Sequence, residues 1–359
     1  MAAAGPGSRD RKGPSMRRHL PRLVFPIVIV VVGCVGQAAP ALASAPSPNR
    51  AGAAAGWLAR QLTDRSHLVI KFGGKTFPNQ GGTIDAIFAF AATGTANRYG
   101  ARATEWLKRP AILRNYIGNG KTSSFAGATA KLLLAAEVRG VNPARFGGVN
   151  LPARLARLLT PSGRYSDHSK LGDFSNAFSQ ALAIIALSRR GRAPAKAVSF
   201  LVGSECKNGG FPLDFGQKTC ASDPDSTAVD VQALLAAGRP RAAARGLRWL
   251  ASVQRHNGGF VASGGKMANA NTTGLAGEAF AAGRWFRRAA RAQRFLLSLQ
   301  VGCSARANRG ALAFDKTGFK RSSAIGATAQ GILGLADVSL AKLTSRGARR
   351  IAPRLRCAS

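Results

Sequence analysis

Acidic residues are scarce in this sequence of 359 residues. It contains 15 Asp and Glu against 52 Lys and Arg, and its formal net charge at pH 7 is +37. Such an excess is typical of proteins that bind nucleic acid or an anionic surface of the cell envelope. The basic residues are scattered and no nucleic-acid-binding module is recognisable, so we expect no nucleic-acid partner. A second interpretation is that the arginines lie on solvent-exposed outer faces of helices and have no specific partner.

Histidine and cysteine are also rare, with four and five residues. They form no Cys-x-x-Cys or His-x-x-x-His pattern, which excludes the common zinc sites. The sequence also lacks the Gly-x-Ser-x-Gly turn of hydrolases and the glycine-rich loops that bind phosphate. We therefore predict neither a metal site nor a cofactor.

Near the N-terminus, the apolar run at residues 23–32 is too short to span a membrane. It has about ten residues, against the ~20 that a spanning helix needs. It follows a basic stretch at residues 9–18 and precedes small residues that end in Ala-Leu-Ala, which are the three parts of an export signal. We therefore predict a signal peptide at residues 1–43, a secreted protein, and a flexible linker at residues 44–55.

An alternative export route is indicated by the segment Val-Val-Gly-Cys34. It resembles the lipobox of bacterial lipoproteins, in which this cysteine is acylated and becomes the mature N-terminus. Under this alternative the protein is a lipoprotein at the cell surface, and the lipid on Cys34 is the membrane attachment that we expect.

Export would leave four cysteines, namely Cys206, Cys220, Cys303 and Cys357. An even number in an exported chain favours disulfides. Cys206 and Cys220 flank a Gly-Gly-Phe loop, so a bridge between them would hold that loop. A bridge between Cys303 and Cys357 would fix the basic C-terminal tail that we predict at residues 341–359. Free buried thiols are the alternative.

One pattern recurs along the chain: a glycine-rich turn, an acidic or amide cap, and an Ala-rich helix that ends in glycine. Two copies end at Gly238 and Gly283, 45 residues apart, and earlier copies end at Gly94, Gly140 and Gly191, with intervals of 46, 51 and 47 residues along the series. A constant period of this size is typical of repeat folds. The pattern therefore predicts one repeat domain over residues 56–340.

Each copy is predicted to be a hairpin of two helices. The first helices carry Arg and bulky aromatic residues, which suit an outer ring facing water, and the second carry small residues that allow close packing in an inner ring. No segment shows the alternation of a strand, so we predict an all-α fold. The predicted pairs are 56–62 with 82–94, 101–116 with 123–140, 151–159 with 174–191, 193–202 with 223–238, 239–253 with 269–283, and 285–299 with 322–336.

The segment from Arg245 to Phe260 resembles the Gln-Trp repeat of squalene-hopene and oxidosqualene cyclases. It has a basic residue followed by glycine, then a Trp-Leu pair, Gln254 and Gly-Gly-Phe, with Phe260 where the repeat has its last tryptophan. Glu205 takes the place of this glutamine in the preceding copy, and Gln300 occupies it in the next. The resemblance implies a closed α/α toroid, the fold that these enzymes share with protein prenyltransferase β-subunits and cobalamin carriers.

The resemblance also implies candidate catalytic residues. Asp223-Pro-Asp225-Ser-Thr-Ala looks like the Asp-x-Asp-Asp-Thr-Ala motif of class II terpene cyclases, whose middle aspartic acid protonates an alkene or epoxide. By position Asp225 would be the acid and Asp223 its neighbour, whereas Ser226 stands where the motif has its last aspartate. Asp230 is the first candidate to replace that aspartate. A purely structural role fits equally, because Asp, Ser and Pro are favoured at the start of a helix.

The related toroid activities need parts that this sequence lacks. Prenyltransferases use a zinc site of Asp, Cys and His, and cobalamin carriers add a C-terminal β-domain. We therefore expect an exported, non-enzymatic toroid that binds a small apolar or isoprenoid-like ligand, or an anionic cell-envelope component. The alternative is a degenerate class II terpene cyclase with Asp225 as proton donor. A filled ring would favour binding, and a deep aromatic pocket would favour the cyclase.

The ligand-binding residues are expected where the second helices begin. In a closed ring these helix starts meet at one rim, and polar residues there could contact a ligand at the mouth. The candidates are Asp85, Asp173, Asn269 and Asn271.

Overall fold

The computed structural model describes residues 48–357, and helices account for most of its regular structure. The predicted signal peptide and Cys34 lie outside the described residues. The inner helices are α2 (Gln80–Thr93), α5 (Ala126–Val138), α7 (Ala177–Arg189), α9 (Pro224–Ala236), α11 (Ala270–Ala282) and α13 (Arg321–Ala336). The outer helices are α1 (Pro48–Gln61), α3 (Asn97–Leu107), α4 (Pro110–Ile117), α6 (Leu151–Ala156), α8 (Ala195–Gly203), α10 (Pro240–Val253) and α12 (Phe286–Ser298).

The inner helices form a closed ring. Each packs against the next one along the chain, and α13 packs against α2. The outer helices lie outside this ring, with α10 against α9, α12 against α11, and α1 against both α13 and α2. The predicted all-α fold, an α/α toroid of six helical hairpins, is therefore confirmed for residues 48–357.

Several predicted boundaries differ from the structure. Helix α1 begins at Pro48, so residues 48–55 are helical and do not form the expected flexible linker. The outer helix predicted at residues 101–116 is divided into α3 and α4, because Pro110 at the first position of α4 has no N–H to continue the preceding helix. No helix spans a bilayer in this part of the chain, since none is both long and apolar enough.

Small residues bring the inner helices close together. Gly274 of α11 lies against α13, where a side chain on Gly274 would place its first carbon 2.4 Å from the carbonyl oxygen of Gln330. Gly334 makes the reciprocal approach, since its first side-chain carbon would lie 2.7 Å from the carbonyl oxygen of Gly274. Only residues without a Cβ permit this spacing. The Ala and Gly content of the second helices thus produces the tight inner ring.

A polar side chain in the first turn of most inner helices anchors the preceding loop. Thr227 Oγ1 accepts the backbone N–H of Phe211 at 2.8 Å, and Thr273 Oγ1 accepts that of Phe260 at 2.9 Å. The same bond recurs as Leu68 to Thr83, Tyr165 to Gln180 and Leu312 to Thr328. Each bond satisfies a buried donor and holds an apolar loop residue against an inner helix, near the helix start in every case except Thr328, which lies further along α13.

The strands are an element that the sequence-based prediction missed. β1 (Leu68–Phe72) and β2 (Lys75–Asn79) form an antiparallel hairpin before α2, with Phe72 opposite Lys75. The turn is Gly73-Gly74, and both residues have positive φ, at 56° and 75°. Shorter pairs are β3 (Ser123–Ser124) with β4 (His168–Ser169), and β5 (Phe260–Val261) with β6 (Ala268–Asn269).

The C-terminal segment at residues 339–357, here called the strap, is ordered against the ring. Arg189 at the end of α7 donates to the carbonyl oxygen of Leu343 at 3.0 Å, and the N–H of Ser345 donates to Val138 at the end of α5 at 2.8 Å. The strap therefore crosses the carboxyl ends of inner helices, and the expected basic tail is a structural part of the toroid.

Both predicted disulfides are present. Cys206 is bonded to Cys220 across the loop before α9, and Cys303 is bonded to Cys357 at the end of the strap. The second bond ties the strap to the loop between α12 and α13.

Candidate functional site

The amino ends of the inner helices meet at one end of the ring, here called the amino rim. The first residue of an inner helix is bonded to the loop that leads into the next inner helix. The N–H of Ala126 donates to the Asp167 carboxylate at 2.6 Å, that of Ala177 to Leu213 O at 3.0 Å, and that of Ala270 to Phe314 O at 2.7 Å. These bonds confirm that the second helices begin at a common rim.

The mouth of the ring at this rim is shallow. Inner helices are partly exposed in their first turns, and deeper along the axis they are buried on all sides, as at residues 226–234 of α9 and 272–280 of α11. Five cavities of residues 48–357 have linings that do not include Asp85, Asp225 or Asn271. Below the mouth, the middles of α9 and α11 are therefore closely packed by their neighbours.

The motif of the candidate catalytic residues forms the start of α9. Asp223 is the N-cap, and its Oδ1 accepts the N–H of Ser226 at 2.7 Å. Asp225 lies in the first turn, and its Oδ1 is buried with no hydrogen-bond partner in the described chain. Burial raises the pKa of Asp225 to about 6, the Thr272 hydroxyl opposes this rise, and the Asp223 carboxylate adds to it. Asp225 is thus a carboxyl that can hold a proton near neutral pH.

Two further carboxyls are buried deeper in the ring. Asp230, on α9, is fully buried, and neither of its oxygens has a hydrogen-bond partner within residues 48–357. Burial raises its pKa well above the usual range, and the charge of Asp223 adds to the rise. Glu278, on α11, is also fully buried, and burial raises its pKa to about 8 against the opposing influence of the Gln232 amide and the Leu340 N–H. Both carboxyls are therefore neutral at moderately acidic pH.

Two of the four expected ligand-binding residues, Asp85 and Asn271, lie at the mouth of the ring. Asp85 lies in the second turn of α2 rather than the first, and pairs with Lys131 of α5 at 2.7 Å. Asn271 donates from Nδ2 to Gln330 of α13 at 2.7 Å. These side chains are half-buried at the mouth, each bridging two inner helices.

Asn269 and Asp173 have local structural contacts. Asn269 is buried and caps α11, where its Oδ1 accepts the N–H of Thr272 at 3.0 Å. Asp173 lies in the loop before α7, pairs with Arg164 at 3.2 Å and accepts the N–H of Ser175 at 2.9 Å. Their ligand-binding roles remain predictions.

A different site, which the sequence-based prediction missed, lies on the outer wall between α1, α3 and the strap. It is a cavity of about 680 Å³, here called the arginine cleft. Its lining is Arg60, Arg65, Arg98, Tyr99, Arg102, Arg350, Ile351, Ala352 and Arg354, with no acidic residue from the described chain among them. Burial and the neighbouring Arg354 lower the pKa of Arg60. The cleft thus concentrates six positive charges, and no acidic side chain in its lining offsets them.

The strap builds one wall of the arginine cleft. The N–H of Ala96 donates to Ile351 O at 2.6 Å, and Arg60 Nη1 donates to Ala352 O at 3.3 Å. These bonds fix the strap backbone beside Arg98 and Arg102 of α3. Guanidinium groups present planar pairs of donors that match phosphate and carboxylate oxygens. The cleft can therefore bind an anion through several side chains from distant parts of the sequence.

Comparison with solved structures identifies the fold. The type II terpene cyclase MstE from Scytonema matches with a TM-score of 0.61 and 15% identity, covering 80% of this chain and 97% of its own. The chain has the α/α toroid fold of terpene cyclases and protein prenyltransferases. A protein from Actinoplanes matches with a TM-score of 0.56 and 19% identity, covering 81% of this chain and 98% of its own.

Protein geranylgeranyltransferase-I from Candida albicans also matches this toroid, with a TM-score of 0.50 and 10% identity, covering 74% of this chain and 89% of its own. One MstE variant was solved with its substrate, geranylgeranyl dihydroxybenzoate. At such low identities the likeness shows the fold alone. A scan with protein-family models and a search of curated proteins found no match to the sequence.

Proposed function

We propose that this protein is an exported, non-enzymatic toroid that binds an anionic polymer of the cell envelope in the arginine cleft. The observation that carries the proposal is the convergence of six arginines on one cavity of about 680 Å³ that no described acidic residue lines. Like charges held together without a counter-charge repel one another, and a bound anion relieves that repulsion. A cleft of this composition therefore favours the binding of an anion.

The chemistry of the cleft favours repeated phosphate groups. Arg98 and Arg102 are one helical turn apart on α3, and Arg350 and Arg354 line the same cleft from the strap. Several guanidinium groups in one elongated set of helix and strap positions can contact successive anionic groups along a chain, whereas one isolated ion would engage only some of them. Tyr99 and Ile351 add apolar surface between the charges. A phosphate-bearing linear polymer matches this lining.

The close packing of the inner helices supports binding rather than turnover. A catalytic toroid needs an internal cavity that surrounds its substrate, because catalysis depends on excluding water and positioning the reacting atoms. The middles of α9 and α11 are buried, which leaves them little accessible surface to line such a cavity. The two disulfides fit the predicted export, since such bonds persist in oxidising compartments.

The proposal is tested by titrating the folded protein with fluorescently labelled inorganic polyphosphate. The triple variant Arg98→Gln, Arg102→Gln, Arg354→Gln should bind about 10- to 100-fold more weakly, because it loses several charge-assisted hydrogen bonds. The matched control is Arg248→Gln, Arg287→Gln, Arg294→Gln, which removes the same charge from exposed positions on α10 and α12. Equal loss in both triples would show that only net charge matters and would overturn the proposal.

A second candidate function is proton donation by Asp225 to an isoprenoid. It is favoured by the buried, unpartnered Oδ1 of Asp225 and by its pKa of about 6. We expect Asp225→Asn to leave polyphosphate binding unchanged, because Asp225 lies at the mouth and not in the arginine cleft. If the wild type cyclises an isoprenoid and Asp225→Asn abolishes this turnover without lowering the melting temperature, the non-enzymatic assignment is wrong.

A further inference from the structure

Exposed apolar side chains are concentrated at the amino rim. The loops that lead into the inner helices, here called the rim loops, are residues 62–79, 118–125, 157–176, 204–223, 254–269 and 299–320. Of the eleven large apolar side chains that are exposed in the described chain, eight lie in these loops. They are Ile70, Phe72, Phe77, Leu171, Phe174, Leu213, Met267 and Phe314. Exposed apolar residues gathered on one side of a soluble fold mark an interaction surface.

The rim loops also hold most of the lysines. Nine of the fourteen lysines in the sequence are there, although Arg is the commoner basic residue of the chain. All nine are exposed, and each rim loop has at least one. They are Lys71, Lys75, Lys121, Lys170, Lys207, Lys218, Lys266, Lys316 and Lys320.

Lysine and an exposed apolar residue are direct neighbours at three loop tips. Lys71 precedes Phe72, Lys170 precedes Leu171, and Lys266 precedes Met267. Phe72 and Leu171 are 77% and 80% exposed, so they contact little of the protein itself. A lysine stem can lie along an apolar phase while its ammonium group stays in a polar layer. The tips thus pair the two kinds of side chain that a lipid interface accommodates.

We propose that the amino rim docks on an anionic lipid bilayer, with the apolar tips entering the interface and the lysines contacting lipid phosphates. Each loop lies at the same end of the closed ring, so the tips can reach one plane together. Apolar insertion and lysine contacts reinforce each other, because each lysine near an anionic surface contributes about 1 kcal/mol. The surface binds through many weak points rather than one deep site.

The arrangement of the tips favours a bilayer over a folded protein partner. The apolar side chains come from five separate rim loops, each of which also carries lysine, and do not belong to a single helix or sheet face. A fluid lipid surface adapts to separated points, whereas a protein partner needs a matching rigid surface.

Most acidic groups at this rim are engaged within the protein, whereas Asp64 and Asp214 are exposed in the rim loops and are outnumbered by the nine exposed lysines. Asp85 pairs with Lys131, Asp173 pairs with Arg164, and Asp223 caps α9. Their charges are therefore offset or held inward, and the exposed lysines dominate the face that a bilayer would meet. The arginine cleft shares only Arg65 with the rim loops, so a docked molecule would keep the rest of the cleft on its outer wall.

The first test measures partitioning onto vesicles of phosphatidylglycerol and phosphatidylcholine by flotation. Phe72→Ser should reduce the partition coefficient by about tenfold, because one inserted phenyl ring is lost. The matched control is Phe286→Ser, since Phe286 is 62% exposed but lies at the start of α12, at the opposite end of the ring. Pure phosphatidylcholine vesicles should bind the wild type weakly. Equal partitioning of Phe72→Ser and Phe286→Ser would overturn the proposal.

The second test locates the inserted residue. Brominated lipids should quench the fluorescence of the new tryptophan in Phe72→Trp but not that in Phe286→Trp. The fluorescence of the wild type, which has four native tryptophans, is the background for both variants. No difference between these variants would contradict insertion. Reversible dimers that Phe72→Ser dissociates, without a change in vesicle binding, would show that a second copy covers the rim instead. The triple cleft variant should keep its vesicle binding, which separates this proposal from the polyphosphate site.

Discussion

Gln300 of the last repeat donates from Nε2 to the backbone carbonyl oxygen of Arg50 in α1, at 2.9 Å. The same amide group donates to Gly310 O at 3.1 Å, so one side chain links the loop before α13 to the first helix of the ring. Gln254 makes the equivalent pair of bonds one repeat earlier, to Gly258 and to Arg288 of α12. The glutamine of the repeat is thus a link between neighbouring outer helices, and in Gln300 it closes the circle.

Gln300→Leu should destabilise the toroid. Leu is close in size but cannot donate to the carbonyl oxygens of Arg50 and Gly310, so the loss should be about 1 to 3 kcal/mol of unfolding free energy, measured by urea denaturation. Gln217→Leu is the control, because Gln217 is an exposed loop residue. If the two variants unfold at the same urea concentration, the closing role of Gln300 is refuted.

Loss of the Cys303–Cys357 disulfide should release the strap. The bond closes a loop with a sequence separation of 54, for which chain entropy gives about 4 kcal/mol. In the variant Cys303→Ser, Cys357→Ser, trypsin should cut at Arg349 and Arg350 faster than in the wild type, as followed by mass spectrometry of the C-terminal peptides. The variant Cys206→Ser, Cys220→Ser should lose about 3 kcal/mol but keep these strap sites protected. Unchanged cleavage at Arg349 and Arg350 would contradict the account.

The repeat and the ring could be predicted from local sequence. The helical period, the terminal glycines near Gly238 and Gly283, and the glutamine at position 254 are local signals, and the structure uses each of them locally or between neighbouring repeats. The hairpin β1–β2 was missed because its five-residue strands are too short for a clear alternation. Thr227 and Thr273 occupy the same position in two of the inner helices. This recurrence could have predicted that their side chains bind the preceding loops.

The arginine cleft could not be predicted, because its two walls lie about 250 residues apart in the sequence. The hydrogen bond from Asn97 on α3 to Ala348 on the strap, for example, joins residues at this separation. Nothing in the local pattern of residues 341–357 distinguishes a free basic tail from an ordered strap. The closed ring, the hydrogen bonds of the strap and the bond between Cys303 and Cys357 together bring Arg354 beside Arg60. Sites made by the tertiary fold from scattered arginines are invisible to motif analysis.

Stability should fall as pH rises, and Glu278 should be a main cause. Burial raises its pKa from an ordinary value of 4.5 to about 8, so between these pH values the folded state holds a proton that the unfolded state has released. The contribution of protonated Glu278 to the free energy of unfolding is therefore fully present below pH 4.5. It is lost as the pH rises towards 8, at up to about 1.4 kcal/mol per pH unit. Glu278→Gln should flatten this part of the pH profile and stabilise the protein at pH 8.

The control for this pH effect is Glu105→Gln. Glu105 is exposed and pairs only with Lys108 of its own helical turn, at 2.7 Å, so its removal should leave the profile of unfolding free energy against pH nearly unchanged. Urea denaturation at pH 5, 6.5 and 8 would compare the two variants with the wild type. A Glu278→Gln profile parallel to that of the wild type would show that Glu278 does not hold the extra proton.

The central claim, that an anionic polymer occupies the arginine cleft, is tested most directly by chemical footprinting of arginine. Folded protein is treated with phenylglyoxal with and without inorganic polyphosphate, and modification at each arginine is measured by mass spectrometry. Polyphosphate should protect Arg98, Arg102 and Arg354 several-fold more than Arg248 and Arg287 on the outer helices. Equal protection at all five positions, or stronger protection on the outer helices, would contradict the assignment of the cleft as the binding site.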